Sequence, residues 1–251
     1  MKVRPYLDFY GKNKIIPVSQ DLSDLSIHLK RRSILYHFLH IPPALVRGRR
    51  VLEIGPGTGD NAIHTASLLP DTYTLVDGNP YSIASSRERI NDPRYCFRKV
   101  RNLQCIETDF LNYRDDRRYD LVLCEGVIPA QDDCRTFLRH AASYVDDDGI
   151  LVITTLSATS ILADVCRRLV KPVLARKVTQ AKLFDELVAF FRPHLEALPG
   201  RSRMLGDWVM DNILQPWPET SIFTIEDALD TIDDEFDLYG TSATDPRFPL
   251  V

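Results

Sequence analysis

One stretch, VLEIGPGTGD at residues 51–60, limits what this chain can become more than any other: an apolar run too short for a helix ends in three closely spaced glycines. Comparable short apolar runs follow at YTLVD (73–77), LQCIET (103–108), YDLVLCE (119–125) and ILVITT (150–155). Helix-like stretches separate them, at about 60–69, 81–90 and 132–145. Strands apolar on both faces, joined by crossover helices, predict an α/β fold built on a doubly wound, mostly parallel sheet.

The flanks read differently. Residues 1–20 are aromatic and basic with Pro5 and Pro17, which predicts an irregular arm. SDLSIHLKRRSILYHFLH then places Leu25, Leu29, Arg32, Leu35, Tyr36 and Leu39 at helical spacing, with Ser23 or Asp24 as N-cap and IPP as the stop. After residue 156 come two apolar-faced helical stretches, SATSILADVCRRLVKPVLARK and AKLFDELVAFFRPHLEAL, which Pro172 and Pro193 are expected to interrupt. They serve either as packing helices or as a cap over a ligand pocket. TIEDALDTI reads as a capped helix and EFDLYG as a sixth strand. Only TSATDPRFPLV follows, hardly enough for a closing hairpin, so the sheet edge is expected to end early or to be completed by a partner, for which a homodimer is one solution.

A glycine loop between a strand and a helix exposes unsatisfied backbone N–H groups to a ligand. A dinucleotide-binding loop reads G-x-G-x-x-G. Here Gly55, Gly57 and Gly59 bring the third glycine one position early, and Asp60 stands where the last glycine belongs, which disfavours a pyrophosphate. Asp77, at the end of the second strand, suits two ribose hydroxyls, because a carboxylate accepts two hydrogen bonds. Glu53 lies inside the first strand, and Asp109 with Phe110 follows the third, a pair suited to an adenine amino group and ring face.

With these residues in this order, the segment from about 45 to 155 resembles the class I S-adenosylmethionine-dependent methyltransferases, of the bacterial small-molecule type. VLEIGPGTG is similar to their first motif, LVDGNP to the ribose-binding strand end, ETDF to the adenine loop and YDLVLCEGV to the fourth strand with its active-site edge. The resemblance implies a Rossmann-like core at 49–156 binding S-adenosylmethionine, with S-adenosylhomocysteine as product. Around it are an N-terminal arm and helix over the cofactor pocket (1–48), a helical cap or insertion (157–222), and a C-terminal helix and strand completing the sheet (223–251). It assigns Glu53, Gly55, Gly57, Gly59, Asp77, Gly78, Asp109, Phe110, Glu125 and Gly126 to the cofactor. Arg31 or Arg32 would pair its carboxylate, and Tyr10 or Tyr36 would cover its methyl. Trp208, Asp211 and Trp217, in a tail that resembles the same enzymes more loosely, would lie near the acceptor.

The acceptor is read from what stands after the fourth strand. The tetrad of enzymes methylating amines of bases or glutamine is missing from CEGVIPAQDD, and so is the histidine-rich loop of many small-molecule members. A small polar acceptor is expected, with O-methylation of a sugar-like or other hydroxyl compound preferred. N- or C-methylation of a natural-product intermediate and a non-catalytic cofactor-binding scaffold are the alternatives. A hydroxyl acceptor needs a base, for which His28 and Asp207 are the candidates, with His37 and His194 behind them. QDD at 131–133 offers either metal ligands or a helix cap, the latter preferred, and no metal is expected.

Composition narrows the partners. With 44% hydrophobic and 26% charged residues the chain is globular, and a formal charge of −4 gives no long-range attraction for nucleic acid. Five scattered cysteines, no signal-like start and no long apolar span predict buried thiols, a cytoplasmic location and no membrane partner.

Overall fold

The computed structural model describes residue 9 and residues 19–198, 203–215 and 222–242 of the chain. Its centre is a sheet of β1 (Arg50–Ile54), β2 (Thr72–Asp77), β3 (Asn102–Glu107), β4 (Tyr119–Cys124) and β5 (Val145–Ile153). All pair in parallel, in the order β3-β2-β1-β4-β5. Helices α1 (Leu25–Phe38), α2 (Ala62–Ser67), α3 (Pro80–Asn91) and α4 (Cys134–Ala142) surround it.

Alternation along the strands divides the core in two. Leu52, Ile54, Val76 and Val122 point to the face covered by α4, where Phe137, Leu138 and Ala141 pack against them. Val51, Leu75, Leu121 and Leu123 point to the other, covered by α1 and α2 through Tyr36, Ala62, Ile63 and Ala66. Side-chain caps set the helix starts: Asp24 accepts from Ser26 and Ile27 N–H, and Asp133 accepts from Thr136 N–H at 2.9 Å, so the second acid of QDD is a cap. At the amino-terminal edge of the sheet, Arg50 stitches three strands together, its N–H reaching Asp120 at 2.8 Å and its guanidinium Asp146 at 2.5 Å. The opposite edge is left for a ligand.

An additional unit follows β5: α5 (Ala158–Arg168), α6 (Val170–Ala175), α7 (Gln180–Glu196), and α8 (Leu205–Val209) running into a π-helical turn, Met210–Leu214. It has its own core, in which Leu183, Leu187, Phe191 and Leu195 meet Val209 and Ile213. α9 (Ile225–Ile232) returns to α4, with a Thr224–Asp227 capping box and Arg135 donating to Asp227 and Thr231 at 2.8 Å each.

Four expectations need correction. β5 starts at Val145 rather than 150; the polar run Asp146–Asp148 hides its first half, where the register against β4 slips between Tyr119 and Leu121. Pro193 does not stop α7, which loses one backbone bond and continues to Glu196, whereas the break expected at Pro172 is present: α5 ends at Arg168 and α6 starts at Val170, with Pro172 in its first turn. EFDLYG forms no strand: Leu238 and Tyr239 are over half exposed, and the Tyr239 hydroxyl donates to the His40 carbonyl instead. Phe223 lies alongside the chain leaving β5, its carbonyl accepting from Leu156 N–H at 2.9 Å. Finally, Cys124 alone of the five free cysteines is buried, and Cys166 is exposed. Among the described residues no helix is long and apolar enough to cross a membrane.

Candidate cofactor and acceptor site

The order in which strands are added to the sheet reverses between β1 and β4, which lie side by side in parallel while α2 and α4 cover opposite faces. The carboxyl ends of those strands therefore part, and a doubly wound sheet binds its ligand at such a point. A cavity of about 540 Å³ opens there. One wall is Gly55, Pro56 and Gly57 after β1, Asp77 and Gly78 after β2, Asp109 and Phe110 after β3, and Glu125 and Gly126 after β4. Polar residues of the added unit also line the cavity, as its far wall: Asp164 and Arg168 of α5, Arg203 just before α8, and Asp211, Asn212 and Gln215 in and after the π-helical turn. Gln20 of the N-terminal segment closes one side.

Two glycines of the loop have different jobs. Gly57 has φ +57°, and a β-carbon on it would meet nothing within 4 Å, so its surface stays open to a ligand. Gly59 has φ +78°, but its β-carbon would stand 3.0 Å from Ser86 Cα, so it serves the close approach of α3 and does not line the cavity. Gly59→Ala is accordingly expected to lower unfolding stability by about 2 kcal/mol or more, and Gly57→Ala by about 1 kcal/mol, in urea titrations. Equal losses would show that strain alone, and not the contact with Ser86, fixes the loop.

The acids are also differentiated. Asp77 Oδ1 accepts from Asn79 N–H at 2.8 Å and Oδ2 from Gly57 N–H at 3.2 Å, so the carboxylate joins the tip of β2 to the glycine loop. Burial pushes its pKa up to about 6, against the opposing pull of those N–H groups. Asp109 faces the cavity while its Oδ1 accepts from Leu111 N–H at 3.0 Å, fixing the turn that carries Phe110. Glu53 is not in the lining. It lies one layer down on the α1 side, accepting from the Tyr73 hydroxyl, and burial raises it to about 7. Asp60 is 1% exposed and paired with Arg89 at 2.8 Å, so its charge is already answered. The objection to a pyrophosphate from that charge lapses; the glycine spacing still stands.

Several expected roles fall to other residues. Arg32 does not reach for a ligand: Nη1 and Nη2 donate to the two oxygens of Glu125 at 2.7 and 2.5 Å, holding that acid at the cavity edge. Arg31 does not line the cavity, and Tyr36 is a core residue whose hydroxyl meets Thr65 at 3.1 Å. His28 is buried with Nε2 donating to the Asp60 carbonyl at 2.9 Å, and burial lowers its pKa; it is a structural donor, not a base. Asp207 also lies outside the lining, whereas Asp211, one helical turn on, is in it and accepts from Arg203 at 2.8 Å. Trp208 packs on Phe191 in the core of the added unit. His37 and His194 are exposed. Tyr10 and Trp217 lie outside the described residues. Of the polar far wall only Asp211 had been expected near the acceptor; its other members were not, although Asp164 with Arg168 and Asp211 with Gln215 are each four apart, a spacing that puts both members of a pair on one helix face.

The donor set suits S-adenosylmethionine. A carboxylate at the tip of β2 with lone pairs to spare could accept from ribose hydroxyls, a glycine whose β-carbon position is open would leave room for the amino-acid end, and Phe110 borders the third strand's turn. These features define a nucleoside-binding α/β protein. The methyltransferase-domain family matches residues 28–205. The chain belongs to that family, and its fold and cofactor are those of the class I S-adenosylmethionine-dependent methyltransferases. It is similar to the fatty-acid O-methyltransferase of Mycolicibacterium smegmatis, 27% identical over 210 residues that cover 80% of this chain and 72% of that one. It also resembles malonyl-[acyl-carrier protein] O-methyltransferase 1 of Ilyobacter polytropus, 26% identical over 106 residues, 42% of this chain and 37% of that one. Other curated relatives are matched over only 32% and 4% of their own length. Among solved structures, PKMT2 from Rickettsia typhi shares the fold with a TM-score of 0.54 at 16% identity, over 92% of this chain and 42% of that one.

Proposed function

We propose that the protein transfers the methyl group of S-adenosylmethionine to an oxygen of a small polar acceptor held against the far wall of the cavity. In this reading Gly55, Gly57, Asp77, Gly78, Asp109, Phe110, Glu125 and Gly126 hold the cofactor, which supplies the methyl as an electrophile on a sulfonium. The chain's part is then to align the acceptor and keep water out. The single observation that carries the proposal is the far wall itself: two arginines, two aspartates, an asparagine and a glutamine face the glycine loop across one cavity. Such a lining favours an acceptor rich in oxygen over an apolar amine.

A hydroxyl has to lose its proton during transfer, and of the two far-wall carboxylates, Asp164 and Asp211, we take Asp211 as the candidate base in place of His28 or Asp207. Its contact with Arg203 orients it but also stabilises the anion, which weakens it as a base. A carboxylic acid acceptor is the second reading. Its oxygen is already an anion at neutral pH and needs no base, and Arg168 and Arg203 in the wall suit its charge. The names of the two O-methyltransferases cited above favour the same chemistry.

Incubation with S-adenosylmethionine carrying a labelled methyl and pooled hydroxy and carboxylic acid metabolites, followed by mild alkali, tests both. Label in alkali-stable ether is expected for a hydroxyl acceptor, and label released as methanol for a carboxylate. Label only on nitrogen or carbon would reject oxygen transfer altogether.

A further inference from the structure

Among the described residues, the outer side of α5 and α6 exposes large apolar side chains. Leu162, Val165, Leu169 and Val173 are 65, 47, 60 and 53% exposed, and their spacing of three or four residues sets them in one row along the two nearly continuous helices. The inward side of the same helices is satisfied: Ile161 is buried, and Val170 and Leu174 pack on the core of the added unit. The outward row is thus surplus to folding, and large apolar side chains in a continuous exposed patch mark an interaction surface.

Charge identifies the partner. Between residues 157 and 182 the chain has Arg167, Arg168, Lys171, Arg176, Lys177 and Lys182 against a single acid, Asp164, whereas the whole chain is at −4. Arg167 and Arg168 are engaged with Asp164 and the Gln215 carbonyl, but Arg176, Lys177 and Lys182 are exposed around the carboxyl end of the row. A straight apolar row of Leu and Val with cations beside it has the make-up of a helix lying in a lipid headgroup layer. A protein-binding patch of this size would be centred on Trp, Tyr or Arg, and Leu and Val are poor centres.

We propose that this face docks on an anionic lipid surface, with the apolar row entering the boundary of the acyl chains and Arg176, Lys177 and Lys182 meeting lipid phosphates. Asp164 and Arg168 project from the same helix into the cavity, so docking sets the acceptor wall next to the membrane. The expectation of no membrane partner was drawn from missing spans, and a peripheral surface needs none. Docking is independent of which oxygen is methylated, and either reading of the acceptor survives its failure.

The test is co-sedimentation of the full chain with phosphatidylcholine vesicles prepared with and without phosphatidylglycerol. Binding is expected only with phosphatidylglycerol present, and to weaken as salt rises. Arg176→Glu with Lys177→Glu should lower the partition by about 25-fold or more, from about fivefold per cation removed. Leu162→Asp with Leu169→Asp should lower it comparably through the apolar row. Both variants alter exposed side chains, so unchanged S-adenosylmethionine binding by calorimetry shows they are folded. No sedimentation with anionic vesicles, or equal sedimentation of both variants and the parent, overturns the proposal. Concentration-dependent dimerisation that the leucine variant abolishes, without vesicle binding, assigns the face to a second copy and overturns it too.

Discussion

Asp77→Ala is expected to bind S-adenosylmethionine about 1.5 to 3 kcal/mol less tightly than the parent in calorimetric titration, the worth of hydrogen bonds to a charged acceptor. The carboxylate has two tasks that the substitution removes together: it presents lone pairs at the tip of β2, and it holds the glycine loop through Gly57 N–H. pH separates this account from a general loss of shape. The carboxyl titrates at about 6, above the ordinary aspartate range, because burial disfavours its charge. Two ribose hydroxyls require it ionised, so affinity should be flat above pH 6 and decline as pH falls through 6, by at most about tenfold per unit. Since the ligand favours the ionised form, binding near pH 6 should release protons, visible as a heat that varies with the ionisation enthalpy of the buffer. An Asp77→Ala protein should show neither effect. A parent affinity independent of pH between 5 and 8 would remove Asp77 from the ribose site.

Asp77 was legible in the sequence because its position depends only on where a strand ends. The same holds for Gly57, Asp109 and Gly126: each follows an apolar run whose length fixes the carboxyl edge of the sheet, and parallel pairing aligns those edges at one crevice. Side chains inside regular elements were less legible. Glu53 and Arg32 were read as ligand-facing, yet the two-residue alternation of β1 turns Glu53 towards α1, and α1 presents Arg32 to Glu125. Nothing local to Arg32 announces a partner 93 positions away, nor to Glu53 a partner 20 positions away. Asp207 and Asp211 show the same limit at closer range. Both stand in GDWVMD, and only the rotation of α8 and its π-helical turn decides which carboxylate meets the cavity. EFDLYG failed for a third reason: apolar alternation describes a strand only if a sheet edge is there to receive it, and here those side chains stay exposed.

The Arg32–Glu125 pair should dominate the stability of this site. Arg32 is 8% exposed, its two terminal nitrogens are spent on one carboxylate, and its Nε is buried without a hydrogen-bond partner among the described residues. Beside it lie the buried Glu53 and the Tyr36 ring, whose centroid is 5.4 Å from the guanidinium carbon. Arg32→Ala leaves Glu125 and Glu53 as neighbouring acids with no cation between them. Removing one member of a buried pair typically costs 3 to 5 kcal/mol, and because Glu125 is 26% exposed the lower end, about 3 kcal/mol, applies. For a chain of this size that corresponds to a fall in Tm of about 6 to 12 °C. The sign of the pH dependence follows from the acids left behind. Without the arginine the folded-state pKa of Glu53, already raised by burial to about 7, rises further above that of the unfolded chain, so its charged form burdens the folded state above that pH and the burden fades as it takes up a proton. The deficit of Arg32→Ala should therefore be largest above pH 7 and shrink towards pH 5. Glu125→Gln added to Arg32→Ala should recover part of the loss at pH 8 and little at pH 5. A deficit equal at both pH values, with no recovery in the double variant, would mean that the arginine acts through the packing of its stem on Tyr36, and that the charge it places behind Glu125 is incidental to how the cavity edge is held.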